Sequence, residues 1–231
     1  MPSLTFIRFS FNGGTRENYS SIHRVKPEVF DDVVRNIKEV VKIKAKNGLS
    51  VDVGAQYVLL PENKDNLIDA INVLKNVGID YFVIKPFVHQ SIMQSYKMNA
   101  QMNYDDVNDT LNKAEGYSDD NFKVVARRES FEDYGKRKYW HCYGTSFISV
   151  LNSAGDIASC LPYWEKEEFV FGNIYKNSFK EIWYGEKRKE IKKRLECKLD
   201  VSACPPNCRP NAINEFLWEI KSPSVKHLNF I

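Results

Sequence analysis

The chain has 231 residues, 43% of them hydrophobic and 27% charged, with a formal net charge of +3. That length suits one large domain or two small ones, and the composition is that of an ordinary soluble globular protein. The charge excess is too small to point to a nucleic-acid partner by itself, and there is no uncharged apolar run of about 18 residues to span a membrane.

The opening MPSLTFIRFSFNGG lacks the basic start, apolar run and small-residue cleavage site of a signal peptide. A cytoplasmic location is therefore expected. Residues 4–11, LTFIRFSF, form a β-branched and aromatic run that stops at Asn12-Gly13-Gly14. After a short polar link, Phe30, Val33, Val34, Ile37, Val40, Val41 and Ile43 recur at helical spacing, with Pro27 near the start and Asn47-Gly48 at the end. A second strand is expected over 50–60, stopped by Pro61, and a second helix over 63–78, closed by Gly78. The run 79–87, IDYFVIKPF, reads as a third strand.

Strand, helix, strand, helix, strand at this spacing predicts two βαβ units in an α/β fold with a parallel sheet. Such sheets bind ligands at the C-terminal ends of their strands. The candidate binding residues there are Ser10, Asn12, Gln56 and Lys85, with His89 and Gln90 beyond. Each of them, taken singly, is equally a solvated strand-end residue. The paired glycines permit positive φ or close approach. They are no dinucleotide fingerprint, since G-x-G-x-x-G is absent. Residues 96–135 are polar and read as a connector, with a short helix in YDDVNDTLNKAEG and a strand in NFKVVARR.

All five cysteines, Cys142, Cys160, Cys197, Cys204 and Cys208, lie in the second half. TSFISVL and DIASC pair as a hairpin across the turn Asn152–Asp156, which can bring Cys142 and Cys160 together at its open end. One face of the hairpin carries Ile148 and Val150, the other Phe147 and Leu151. Ser178 and Glu181 form a capping box before an amphipathic helix that bears Phe179, Ile182, Trp183, Ile191 and Leu195. Pro210 opens a last helix with Ile213, Phe216, Leu217 and Ile220 on its apolar face. Trp183 and Trp218 read as core or shelter.

Buried free thiols account poorly for five cysteines so close together. A disulfide framework conflicts with the odd number and with the expected compartment. A metal site leads. Zinc knuckles use Cys-x-x-Cys, whereas the spacings here are Cys142-x17-Cys160 and Cys204-x3-Cys208. A larger iron–sulfur cluster tolerates such separations because its thiolates attach to different irons. Spacing alone leaves both metals open.

The order Cys142, Gly155, Cys160, then FGNIYKNSFKEIW, then Cys204-x3-Cys208 resembles the SPASM/twitch auxiliary-cluster domain of radical S-adenosylmethionine (SAM) enzymes. RFSFNGGTRENYSSIH and YFVIKPF are similar to the fourth and sixth strands of that family's partial barrel. The resemblance implies an α/β fold: strand–helix units of a partial parallel (β/α) barrel over 1–95, a connector over 96–135, and a small α+β SPASM/twitch domain over 136–231. It implies one 4Fe-4S cluster on Cys142, Cys160, Cys204 and Cys208, with Cys197 the alternate, in the single-cluster twitch arrangement. It also likens Ser10, Asn12 and the backbone near Ile84 to the ribose and adenine side of a SAM site.

The family's SAM-cleaving chemistry uses a Cys-x3-Cys-x2-Cys loop after the first barrel strand, and no cysteine precedes Cys142 here. The chain therefore resembles the C-terminal portion of such an oxidoreductase or modifying enzyme, whether as a fragment, a truncated frame or a remnant. It is expected to be inactive in SAM cleavage alone, with SAM a cofactor only in a complete parent enzyme. The implied partners are a small-molecule or peptide substrate and an electron donor such as ferredoxin or flavodoxin. The alternative is a non-catalytic interaction module with structural zinc or iron–sulfur.

Overall fold

The structure, a computed structural model, describes residues 3–87, 107–132, 136–206 and 208–223. They divide into two compact units, one holding the described residues up to Glu132 and the other those after it.

The first unit is a four-stranded parallel sheet in the order β1 (Phe6–Ser10), β2 (Asp52–Leu59), β3 (Tyr81–Pro86), β4 (Lys123–Ala126). The strands predicted over 4–11, 50–60 and 79–87 form its first three members. The fourth is the strand expected in NFKVVARR within the connector, between α4 (Asn108–Glu115), which falls in the expected short helix, and α5 (Arg128–Glu132). It joins because Phe122, Val124 and Ala126 share the core with Leu111, Ala114 and Phe131. α2 (Glu28–Lys46) and α3 (Leu67–Val77) stand where periodicity predicts them, and Ile37, Leu67, Ile71 and Leu74 are fully buried. Ile43, expected on the apolar face of α2, is 44% exposed.

α1 (Arg16–His23) occupies what the sequence reads as a polar link. Its signal was a cap rather than a hydrophobic stripe, since the Thr15 side chain accepts the Asn18 N–H. The paired glycines before it serve close approach. A Cβ on Gly14 would lie 2.3 Å from the Asn66 carbonyl oxygen and 2.6 Å from the Ala70 nitrogen, inside contact distance of two backbones.

On the sheet, Val53, Ala55, Tyr57, Leu59, Phe82 and Ile84 are fully buried. The alternate residues are more open: Phe6 is 56% and Val125 48% exposed. That face carries Arg8 and Ser10 of β1, and Ser10 registers with Gln56, which registers with Val83.

The His23 imidazole caps the end of β1. Its Nε2 accepts the Asn12 N–H at 3.3 Å and its ring stacks on Tyr19 at 4.1 Å. Burial lowers its pKa from the ordinary histidine value. Below about pH 6.5 the unfolded state therefore binds more protons than the native one, so stability is lost as pH falls through the depressed native pKa. His23→Gln should flatten this dependence between about pH 7 and pH 5, read as melting temperature against pH. Identical slopes for the two proteins would rule out the cap as its source.

The second unit holds an antiparallel sheet of β5 (Val150–Leu151), β6 (Asp156–Ala158) and β7 (Val170–Asn173), in that order. The predicted hairpin is β5–β6, and its turn is closed by Asn152, whose Oδ1 accepts the Asp156 N–H at 2.8 Å. The capping box of Ser178 and Glu181 is formed. The helix it opens is short, however. α6 (Phe179–Tyr184) and α7 (Glu186–Lys198) are separate because the backbone at Gly185 is extended, with ψ 159°. Ile182, Ile191 and Leu195 are buried with Ile157, Tyr163, Phe169 and Phe171 in one small core.

α8 (Asn211–Lys221) follows Pro210 as predicted, but its apolar residues do not lead it inward. Ile213 is 37%, Phe216 66% and Ile220 54% exposed. The residue it buries completely is polar: Asn214. Among the described residues no helix is long and apolar enough to cross a membrane.

Candidate metal centre

Three separate segments of the second unit bring cysteines to one cavity of about 340 Å³, lined by Cys142, Cys160, Cys204 and Cys208. Cys142 comes before the tight turn Gly144–Ser146 and is buried. Cys160 follows β6 with one residue, Ser159, between, and caps the turn Leu161–Tyr163. Cys204 follows the turn Val201–Ala203, whose start is fixed by Asp200 accepting the Ser202 N–H. The Cys208 carbonyl accepts the Asn211 N–H, which ties it to the start of α8. No disulfide joins any of them. Cys197, which the sequence leaves as an alternate to Cys204, is exposed on α7 and is not among the residues lining the cavity.

The neighbours hold these segments together. The Asn214 Oδ1 accepts the backbone N–H of both Tyr143 and Gly144 at 2.7 Å, and its Nδ2 lies 3.6 Å from the Cys142 sulfur. A Cβ at Gly144 would sit 2.6 Å from that of Pro210, so only glycine lets this turn meet the chain between Cys208 and α8 so closely. Arg137 donates from Nη2 to the Pro205 carbonyl at 2.6 Å, holding the Cys204–Cys208 loop from outside. The Tyr163 hydroxyl lies 3.7 Å from the Cys204 sulfur and 3.4 Å from the Ala203 oxygen. Among the described residues, the buried hydroxyls of Thr145, which lines the cavity, and Ser159, next to Cys160, have no partner.

Burial keeps the thiols of Cys160, Cys204 and Cys208 neutral. Burial and the neighbouring cysteines push the Cys160 thiol up to about 12 and the Cys208 thiol up to about 11, and burial raises Cys204 as well. Without a cation these sulfurs hold their protons. Bound iron reverses that balance, because a cation favours the thiolate.

The donor set fits an iron–sulfur cluster. Four cysteines, the number and kind of ligand that such a cluster takes, line one cavity of about 340 Å³. A tetrahedral zinc with sulfurs at 2.3 Å needs a sphere of only roughly 50 Å³.

Of the strand-end candidates, Ser10 and Gln56 are neighbours in register, while Lys85 registers with Val58. The Asn12 side chain is engaged with the backbone, where its Oδ1 accepts the Val58 N–H at 2.8 Å and extends the β1–β2 pairing. His89 and Gln90 lie outside the described residues.

Residues 142–209 match the SPASM family, described as an iron–sulfur cluster-binding domain. The chain is similar in fold to SuiB of Streptococcus suis, with 12% identity and a TM-score of 0.59 over 81% of this chain and 45% of that one. The same protein bound to its precursor peptide SuiA gives 14% identity and a TM-score of 0.54 over 81% of this chain and 44% of that one. Native anSMEcpe with bound AdoMet gives 14% and 0.50, over 81% of this chain and 52% of that one. No curated protein matches in sequence. Residues 142–209 thus match an iron–sulfur cluster-binding SPASM domain, and the chain is similar in fold to SuiB and anSMEcpe, spanning about half the length of those solved structures.

Proposed function

We propose that the second unit binds one 4Fe-4S cluster through Cys142, Cys160, Cys204 and Cys208, and that the chain serves as the auxiliary-cluster portion of an oxidoreductase or modifying enzyme related to the radical SAM enzymes. The observation that carries this reading is the convergence of four thiols from three segments on one cavity within the SPASM match. When bound, such a cluster would supply one-electron chemistry, since four thiolates leave none of its irons open. The protein's part is to hold four thiolates, to shelter them with Tyr163, Leu195 and Leu199, and to fix the Cys204–Cys208 loop through Arg137.

SAM cleavage is a separate matter. Three thiolates that leave one iron open are needed, and the first cysteine of this chain is Cys142. The chain is therefore expected not to cleave SAM by itself. Ser10, Gln56 and Lys85 are proposed as a weak remaining contact for the cofactor, with Asn12 contributing through the backbone it holds in place. SuiB has been crystallised with a peptide, so a peptide is the substrate class to test first, with ferredoxin or flavodoxin as electron donor.

The test is anaerobic reconstitution followed by iron, sulfide and zinc analysis. About four irons and four sulfides per chain are expected, with no 5′-deoxyadenosine formed from SAM and reductant. One zinc and no sulfide per chain would support the structural-metal alternative, and 5′-deoxyadenosine above background would overturn the inactivity.

A further inference from the structure

Asn214 is the one fully buried polar side chain on α8, and the way it is held fixes its chemistry. Its Oδ1 accepts two backbone N–H groups, from Tyr143 and Gly144, both at 2.7 Å. Two donors on one atom require that atom to be the amide oxygen, so the orientation of the amide follows from the network. The NH₂ group is thereby turned toward Cys142, whose sulfur lies 3.6 Å from Nδ2. Asn214 is 0% exposed, so no bulk water competes for that donor. A neutral thiol is a weak acceptor, whereas a thiolate receives a charge-assisted bond. The donor thus suits the metal-bound form of Cys142.

We propose that Asn214 donates a hydrogen bond to the Cys142 thiolate and thereby sets the reduction potential of the cluster. The proposal rests on the cluster reading above. A donor at a ligating sulfur draws electron density from it and stabilises the more negative, reduced state, which raises the potential. The asymmetry matters, because Asn214 acts on one of the four sulfurs. The Tyr163 hydroxyl approaches Cys204 and the Tyr139 hydroxyl approaches Cys208, each with an oxygen acceptor as well, the Ala203 carbonyl and the Asn211 Oδ1 respectively. The Asn214 side chain also reaches the Tyr139 hydroxyl.

Asn214→Asp removes the N–H while keeping the acceptor. Because the added carboxylate charge lowers the potential by itself, loss or retention of the exchangeable coupling decides the proposal whatever the potential does. The carboxylate keeps an oxygen for Tyr143 and Gly144 but has no N–H for the sulfur. Three quantities are read on the reconstituted full chain: iron per chain, midpoint potential by redox titration followed by EPR, and exchangeable-proton couplings of the reduced cluster by ENDOR in H₂O and D₂O. Iron should be retained, the potential should fall, and one exchangeable coupling present in the unaltered protein should vanish. Iron retained with that coupling unchanged would make Asn214 a backbone clamp only and overturn the proposal.

A second measurement does not depend on how the variant folds. The unaltered protein, labelled with ¹⁵N in its asparagine side-chain amides, should show a weak ¹⁵N coupling to the cluster. Absence of that coupling overturns the proposal while iron content leaves the cluster reading standing; absence of iron from the unaltered protein overturns both.

Discussion

Single replacement of Cys142, Cys160, Cys204 or Cys208 by alanine should reduce bound iron from about four per chain to near zero after desalting, while Cys197→Ala leaves it unchanged. The first four line one cavity and Cys197 does not. Loss of one thiolate leaves an iron without its protein ligand in a pocket whose other lining groups are mainly apolar, among them Ile148, Val150, Leu195 and Leu199. Among the described residues lining the cavity there is no further cysteine, and Cys197 is exposed on α7. The loss should also lower the stability of the second unit, since a ligand that binds only the folded state adds its binding energy to folding. Iron and sulfide per chain, with visible circular dichroism, provide the measurement. Loss of iron in Cys197→Ala but not in Cys204→Ala would exchange those two assignments. Iron retained in both Cys142→Ala and Cys160→Ala would reject the site.

Asn63→Leu should destabilise the first unit by about 3–5 kcal/mol, a large share of the roughly 5–15 kcal/mol that holds a domain folded. Asn63 is 0% exposed and fully used. Its Oδ1 accepts the Leu60 N–H at 2.8 Å, and its Nδ2 donates to the Asn12 and Val58 carbonyls at 3.0 Å. Leucine fills the volume but leaves one donor and two acceptors of the backbone unpaired, each costing about 1–3 kcal/mol when buried. The damage falls at the C-terminal ends of β1 and β2, beside Ser10, Asn12 and Gln56. Urea denaturation followed by circular dichroism, with hydrogen exchange at Val58 and Leu60, reads the effect. A change below about 1 kcal/mol would show that these groups find other partners.

Much of this was legible along the chain. Apolar residues at 3.6-residue spacing specify α2 and α3, and β-branched runs ended by Gly or Pro specify β1, β2 and β3, because each element must present a continuous apolar surface to bury. The order of Cys142, Gly155, Cys160, Cys204 and Cys208 pointed to an iron–sulfur domain through its resemblance to SPASM/twitch domains, where spacing alone left zinc open. Local signals misled where a break or a cap, rather than a periodic stripe, governed the backbone. α1 grew from the Thr15 cap in a polar stretch, and Gly185 divided a pattern that reads as one helix into α6 and α7.

The sequence by itself determined the two halves, the strand–helix alternation of the first and the gathering of all five cysteines in the second, since these depend on residue type and near spacing. Tertiary structure alone decided which cysteines share a cavity. It also buried Asn63 and Asn214 while leaving Ile213, Phe216 and Ile220 exposed. The reason is physical: a polar side chain is buried only where backbone donors and acceptors are brought to it. For Asn214 those groups come from Tyr143 and Gly144, some seventy residues earlier in the chain, at a distance no local pattern records.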